Sequence, residues 1–175
     1  MKVLAFAASS SKESINKQLA RYAAELLDDT LVEVLDLNDY ELPLFSVDKE
    51  VELGQPELAQ AFLAKIAESD AVIISFAEHN GTYSAAYKNL FDWCSRITKK
   101  VYQQKAMVLL ATSPGPGGAA RVLEIAKTSA PHFDGMVKAS LSIPHFHDNF
   151  DTELGRIKNN EINEQLIHTV QALQT

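Results

Sequence analysis

Short apolar runs alternate with longer amphipathic segments along this chain. The apolar runs have the length of strands and lie at Val3–Ala8, Leu31–Leu37, Ala71–Phe76, Ala106–Thr112 and Val137–Ile143. Apolar residues recur at helical spacing over about 14–28, 56–68, 83–99, 118–130 and 160–174. Continuously apolar strands that alternate with helices are typical of a parallel sheet covered on both faces. The pattern therefore predicts an α/β fold built from five βα units.

Two stretches, 38–55 and 144–159, show neither pattern and are expected to be irregular. Both would leave the carboxyl ends of strands, where open α/β sheets bind their ligands. No repeat, low-complexity stretch or linker divides the chain, so residues 1–175 are expected to form a single domain.

Composition narrows the class of protein without naming its chemistry. The 175 residues are 46% hydrophobic and 22% charged, as in ordinary globular proteins. The net charge of −7 argues against nucleic acid as a partner, and the acidic residues do not form a run. The single cysteine excludes an internal disulfide and suits a reducing compartment. No apolar run approaches the ~18 residues that cross a membrane, and the first is too short for a secretory signal. We expect a cytoplasmic protein without a membrane partner.

The loop after the first strand has the chemistry of a phosphate cradle. Ser9, Ser11, Ser14 and Asn16 lie where a strand gives way to a helix. Hydroxyl groups, free backbone N–H groups and the positive end of the helix dipole together favour an anion there. The loop contains no glycine, so it is neither a Walker loop nor a dinucleotide fingerprint. A serine-rich turn that merely caps the helix is the alternative interpretation.

A polar turn follows the third strand and leads directly into a helix. It consists of Ala77, Glu78, His79, Asn80 and Gly81. Asn80 and Gly81 both tolerate positive φ, so the backbone can turn sharply and approach a flat ligand closely. The sequence therefore predicts a ligand-binding loop at this strand end.

A third loop, rich in glycine and proline, follows the fourth strand. Its candidate ligand-binding residues are Ser113, Gly115 and Gly117. Small residues there let the backbone meet a ligand edge, while the prolines stiffen the turn. A tight strand-to-helix turn that needs small residues only for packing is the alternative.

The second loop and the helix after it resemble the NAD(P)H-dependent FMN reductase family. The usual form in that family is Pro-Glu-Tyr-Asn-Gly-Ser-Tyr, followed by Lys-Asn-x-x-Asp-Trp. Ala77 and His79 depart from this form. The residues that agree with it are Glu78, Asn80, Gly81, Tyr83, Lys88, Asn89, Asp92 and Trp93.

The first loop is similar to the family's Gly-Ser-x-Arg-x-x-Ser-x-Asn segment, although less closely. Ser9, Ser14 and Asn16 fit that register, whereas Ala8 replaces the glycine and Ser11 replaces the arginine. Loss of the arginine removes a bidentate contact to a phosphate or to the nicotinamide cofactor.

The resemblance implies a flavodoxin-like three-layer sandwich with a five-stranded parallel sheet in the order 2-1-3-4-5. It implies noncovalent FMN, with its phosphate at 9–16 and its ring between the 77–83 and 113–118 loops. NADPH or NADH would donate hydride, and a quinone, a flavin or a similar small molecule would accept it. The cofactor supplies this chemistry, so we expect no catalytic side chain and no metal.

Two alternatives to a reductase stay open. One is a flavodoxin-type electron carrier, although the first loop lacks the threonine-rich form of those carriers. The other is a family member whose flavin site has decayed into a binding or regulatory module, which the departures at Ser11, Ala77 and His79 would allow. For the reductase, we hypothesise that His79 borders the acceptor pocket and tunes access without being essential.

The 83–99 helix carries two apolar faces, more than one contact with a sheet requires. Leu90, Trp93 and Ile97 lie on one face, and Tyr83, Tyr87 and Phe91 on another. Either the helix is unusually buried, or the second face is a subunit interface, as the family builds here. We expect a homodimer or homotetramer through this helix.

Cysteine and histidine offer little further chemistry. Cys94 shares the apolar face of that helix and is expected to be a packed core thiol. His145 and His147 have a spacing that could serve a metal, but the chain offers no cysteine partners for them.

Overall fold

A computed structural model describes residues 1–174 of the chain, so Thr175, the last residue of the predicted domain, lies outside it. Five parallel strands form one sheet in the order β2-β1-β3-β4-β5. Each lies within two residues of its predicted run: β1 (Lys2–Ala8), β2 (Leu31–Leu35), β3 (Ala71–Phe76), β4 (Ala106–Thr112) and β5 (Met136–Ile143).

Helices cover both faces of the sheet, and the predicted ones end one to three residues earlier than expected. They are α1 (Ile15–Glu25), α2 (Val47–Leu53), α3 (Glu57–Ala67), α4 (Ala85–Ile97), α5 (Ala120–Ser129), α6 (Phe146–Asn149) and α7 (Asn160–Gln171). No helix within residues 1–174 is long and apolar enough to span a membrane.

Two apolar cores lie on opposite sides of the sheet. One lies beneath α1 and α7, and the other beneath α3, α4 and α5. Because successive strand residues point to opposite faces, Val3 and Ala5 enter the first core, while Leu4 and Phe6 enter the second. All of these side chains are fully buried. The three-layer α/β sandwich implied by the resemblance is confirmed.

The 38–55 segment is more regular than the pattern predicts. It contains α2, which begins after an N-cap at Ser46, and a 3-10 turn at Leu37–Tyr40. None of the α2 residues is buried, so the helix has no apolar periodicity for the sequence to reveal. The second strand ends at Leu35, two residues early, because the Asp36 carboxylate accepts a backbone N–H and starts the turn.

The 144–159 segment is likewise more regular than the pattern predicts. It holds α6 and a short antiparallel ribbon of β6 (Phe150–Asp151) and β7 (Arg156–Ile157). The rings of Phe146 and Phe150 stack with centroids 4.7 Å apart and are buried in the core beneath α1 and α7. These aromatic residues fix the segment over the sheet.

The second apolar face of α4 packs against its own chain. Tyr87 is only 3% exposed, and its hydroxyl lies 2.6 Å from that of Tyr102. Phe91 packs edge-to-face on Phe133 with ring centroids 4.7 Å apart. The helix is therefore unusually buried, and Tyr87 has little surface left for a contact with another subunit. Tyr102, five residues beyond the helix, and Phe133, further along the chain, cover this face, and the helical pattern could not anticipate these contacts.

Cys94 is a core residue, as predicted. Its side chain projects from α4, contacts the Ala59 carbonyl of α3 and is fully buried. Burial raises the pKa of the thiol to about 12. The thiol is therefore protonated at neutral pH and serves packing.

A buried amide ties α1 to the centre of the sheet. The Asn16 Oδ1 accepts hydrogen bonds from the Ser75 hydroxyl at 2.7 Å and from the Thr112 N–H at 3.1 Å. Its Nδ2 donates to the Thr112 carbonyl at 3.2 Å. The Asn16 residue is 2% exposed, so these bonds are shielded from water. The amide thereby fixes the ends of β3 and β4 relative to the first turn of α1.

We predict that Asn16→Ala destabilises the fold. The substitution leaves buried polar groups of Ser75 and Thr112 without their partner, which should lower the free energy of unfolding by about 2–4 kcal/mol. Urea unfolding followed by circular dichroism measures this. Asn160→Ala, at an exposed position, is the control and should stay within about 0.5 kcal/mol of wild type. Equal unfolding midpoints for the two variants would contradict the structural role.

Candidate functional site

The three loops singled out in the sequence meet at one cavity of about 230 Å³, at the carboxyl edge of β1, β3 and β4. Asn80, Gly81, Gly115 and Gly117 belong to the same loops but lie outside its lining. The predicted residues that line it are Ser9, Ser11, Ser14, Asn16, Ala77, Glu78, His79 and Ser113.

The first loop presents hydrogen-bond donors to this cavity. The Ser9 Oγ accepts the Ser11 N–H, and the Ser14 Oγ accepts the Lys17 N–H, each at 3.2 Å. Each hydroxyl thus accepts one hydrogen bond within the loop, and its own hydrogen is free to be donated. In the described residues, the N–H groups of the first turn of α1, at 15 and 16, also have no partner. Such a set of donors at a helix N-terminus favours an anion.

Asn16 contributes differently from the sequence-based prediction. Its side chain makes three hydrogen bonds to Ser75 and Thr112, which occupy both acceptor positions of its oxygen. Only its backbone N–H is therefore available as a donor in the first loop. The sequence pattern placed the residue correctly, but it could not show that its amide faces the sheet.

The cavity holds no cationic side chain among the described residues that line it. Glu13 and Glu78 are its charged neighbours, while Lys17 nearby is paired with Asp36. Ser11, which replaces the arginine of the family pattern, is exposed. Any anion bound here would therefore rely on hydroxyl and backbone donors.

The second loop forms a tight turn held by two backbone hydrogen bonds. The His79 N–H donates to the Thr82 carbonyl at 2.9 Å, and the Thr82 N–H donates back at 3.1 Å. Asn80 and Gly81, between them, have φ values of 52° and 80°, as a type I′ turn requires. The N–H groups of these two residues have no partner within residues 1–174. The turn therefore presents two free donors at its tip, as its Asn-Gly sequence suggested.

Glu78 connects the second loop to the third. Its Oε2 accepts the Val122 N–H, in the first turn of α5, at 3.0 Å. The N-cap of α5, Ala119, lies in the left-handed region with φ of 60° and has no side chain to cap the helix. The carboxylate thus caps from another loop and lies at the positive end of the helix dipole. Sequence reasoning missed this role, although an alanine before a helix was a signal that its cap comes from elsewhere.

The glycines of the third loop differ in the space around them. A Cβ at Gly118 would lie 2.4 Å from the Ser142 Oγ, so packing against β5 requires glycine there. A Cβ at Gly115 or Gly117 would meet nothing within 4 Å. The packing interpretation therefore explains Gly118, while Gly115 and Gly117 leave backbone open to a ligand.

The two histidines considered for a metal lie at the surface. His145 and His147 are both exposed, and His145 donates its backbone N–H to the Gly115 carbonyl at 3.0 Å. Within residues 1–174 no group of three potential metal-ligating side chains is found. Through this backbone hydrogen bond His145 supports the third loop.

The Lys-Asn-x-x-Asp-Trp segment of α4 anchors another part of the chain. The Asn89 Oδ1 accepts the Phe45 N–H at 2.8 Å, and its Nδ2 donates to the Leu42 and Pro43 carbonyls at 3.1 Å. The Trp93 Nε1 donates to the Pro43 carbonyl at 2.8 Å. These bonds hold the chain between β2 and α2 beside the first loop, around a second cavity of about 470 Å³.

Known proteins resemble this chain in both sequence and fold. An NADPH:quinone oxidoreductase of Arabidopsis thaliana is 33% identical over 122 residues, which are 67% of this chain but only 61% of that protein. An NAD(P)H-dependent FMN reductase of Pseudomonas aeruginosa is 27% identical and aligns with 99% of this chain and 94% of its own.

The structure of FerB, a flavoenzyme NAD(P)H:(acceptor) oxidoreductase from Paracoccus denitrificans, superposes with a TM-score of 0.81 at 24% identity. It covers 98% of this chain and 94% of its own. This likeness confirms the flavodoxin-like fold. The family model described as NADPH-dependent FMN reductase matches residues 1–148. Because this match spans 148 of the 175 residues, the chain belongs to the NADPH-dependent FMN reductase family.

Proposed function

We propose that this protein transfers hydride from NADPH or NADH, by way of noncovalently bound FMN, to a quinone, a flavin or a similar small acceptor. Family membership supplies the FMN cofactor and the nicotinamide donor. The observation that carries the proposal is that the three loops meet at one cavity, into which the first loop presents free hydrogen-bond donors. The proposal treats residues 1–175 as one FMN-binding domain that acts in the cytoplasm.

The first loop would hold the FMN phosphate. The hydroxyls of Ser9, Ser11 and Ser14 and the N–H groups at 15 and 16 are its donors. A phosphate accepts strong hydrogen bonds from such groups at a helix N-terminus. The absence of a cation from the described lining means that the helix dipole, rather than an ion pair, balances the charge.

The second and third loops would hold the flavin ring. Bound FMN supplies the redox chemistry, and the protein supplies position and electrostatics. The free N–H groups of Asn80 and Gly81 are suited to a ring edge on which negative charge develops. The backbone at Gly115 and Gly117 is open from the opposite loop. The bond from Val122 to Glu78 links the second loop to α5, which follows the third loop. Because the flavin would supply the redox chemistry, no side chain needs to act as an acid or base.

The phosphate assignment predicts that Ser14→Ala weakens FMN binding. Loss of one hydrogen bond to a charged phosphate should lower the affinity about tenfold or more in a fluorescence titration. Ser46→Ala is the matched control, since Ser46 also caps a helix but lies away from the cavity. Both variants should lose about 1 kcal/mol of stability. An equal FMN affinity in the two variants would exclude the first loop as the phosphate site.

Activity tests the proposal as a whole. The FMN-loaded protein should be yellow and should oxidise NADPH or NADH when a quinone or free flavin is added. A yellow protein that is inert towards nicotinamides would indicate an electron carrier instead. A folded protein that takes up no FMN would indicate a binding module whose flavin site has decayed.

We expect His79 to tune access to the flavin rather than to take part in hydride transfer. Its side chain is exposed, and the turn that carries it is held by backbone bonds to Thr82. His79→Tyr introduces the residue of the family form, so it should retain FMN binding and keep NADPH oxidation within about threefold, a barrier change of about 0.6 kcal/mol. Steady-state kinetics of the loaded variant measures this. Complete loss of turnover in a folded, yellow variant would assign the imidazole a direct catalytic role.

We also propose that the protein assembles into a homodimer or homotetramer through the part of α4 that its own chain leaves open. Lys88, Phe91, Asp92 and Ser95 border a groove of about 200 Å³ on this helix. A two-fold axis would set this groove against its own copy. Light scattering at micromolar concentration should then give a multiple of the chain mass, and the mass of one chain would contradict the proposal.

A further inference from the structure

Arg121 is an exposed cation in the first turn of α5. Within residues 1–174 its side chain forms no ion pair, hydrogen bond or ring contact. The Glu78 carboxylate accepts the N–H of the next residue, Val122, yet it does not lie within ion-pair distance of the guanidinium. The Arg121 side chain is therefore free to meet a ligand.

The helix dipole makes this position unfavourable for a cation. The N-terminus of a helix carries partial positive charge, so an arginine is less favourable there than at the C-terminus. The other basic residue of α5, Lys127, lies in the last turn and pairs with Glu124. Charge interactions within the described chain thus do not account for an arginine at position 121, whereas an anionic ligand would.

The Arg121 side chain lies against the tip of the second loop. A Cβ at Gly81 would be 3.9 Å from both its Cδ and its Nη1. Two residues earlier in the same loop, His79 is exposed and lines the cavity where the three loops meet. The guanidinium therefore lies beside this cavity, just outside its lining.

A nicotinamide donor brings phosphate groups to a cavity whose own charges are negative. NADH carries a diphosphate, and NADPH carries an additional phosphate on the ribose of its adenosine. Glu13 and Glu78 line the cavity, and the chain as a whole has a net charge of −7. A planar guanidinium binds phosphate through parallel hydrogen bonds and raises the local concentration of anions. Arg121 thus supplies, beside the cavity, the positive charge that the described lining lacks.

We propose that Arg121 binds a phosphate of the nicotinamide donor while the nicotinamide ring reaches the flavin. The inference rests on the proposed function, because it requires bound FMN and a nicotinamide donor. The phosphate belongs either to the diphosphate that both donors share or to the additional group of NADPH. In the first case Arg121 strengthens the binding of both donors equally, and in the second it makes the protein prefer NADPH.

The test compares NADPH and NADH as donors for the FMN-loaded wild type and Arg121→Ala. We expect the KM to rise about tenfold, the usual effect of losing one charge-assisted contact, with kcat unchanged. A rise for both donors identifies the diphosphate, and a rise for NADPH alone identifies its additional phosphate. Arg121→Lys keeps the charge but not the planar fork and should give an intermediate KM. Calorimetric titration with NADP⁺ and NAD⁺, which cannot reduce the flavin, should show the same losses as affinities.

Lys99→Ala is the matched control, because Lys99 is exposed, has no ion pair in the described part of the chain and follows α4 at the opposite edge of the sheet. It removes the same charge and should leave both KM values within about twofold, since salt screens distant charges. Equal KM values in active Arg121→Ala and Lys99→Ala would overturn the inference and leave the proposed function intact. Weaker FMN binding or a lower urea midpoint in Arg121→Ala would also overturn it, because the arginine would then support the second loop. A wild type that oxidises neither donor would overturn both proposals.

Discussion

The hydrogen bonds of one buried amide hold together the edge of the sheet on which the rest of the site is built. Asn16 forms hydrogen bonds with both the N–H and the carbonyl of Thr112 and accepts one from the Ser75 hydroxyl, so the first turn of α1 is held against the ends of β3 and β4. Loops that leave parallel strands can share a ligand only if the strand ends are fixed in this way. The hydroxyls and free backbone donors of the first loop can then face the cavity, because the Asn16 amide forms the hydrogen bonds to the sheet.

The fold was predictable from sequence because its strands are buried on both faces. Continuous apolar runs of strand length, when helices alternate with them, indicate buried parallel strands. The exceptions share a physical cause. Helix α2 has no buried residue and hence no periodicity, and the second face of α4 is covered by Tyr102 and Phe133, whose contact with the helix depends on tertiary packing.

The meeting of the candidate residues at one cavity was predictable from sequence, whereas the contacts of their side chains were less so. Local patterns placed eight candidate residues on one cavity, since each pattern marks the end of a strand. Asn16 and Glu78 have partners 96 and 44 residues away, and no local pattern reports on contacts of that range. The Lys-Asn-x-x-Asp-Trp segment also makes contacts that are distant in sequence. Asn89 and Trp93 form hydrogen bonds with the backbone at 42–45, which lies 44 to 50 residues away. These bonds hold that backbone beside the first loop.

Because Glu78 of the second loop caps α5, which follows the third loop, the structures of these two loops depend on each other. The first turn of α5 keeps its cap only if the second loop keeps both its length and the Glu78 carboxylate. Exchanging the second loop alone for that of a distant relative would leave the first turn of α5 uncapped beside the strained Ala119. Engineers who exchange these loops should therefore graft residues 77–82 and 113–122 together and keep the hydrogen bond between Val122 and Glu78 intact.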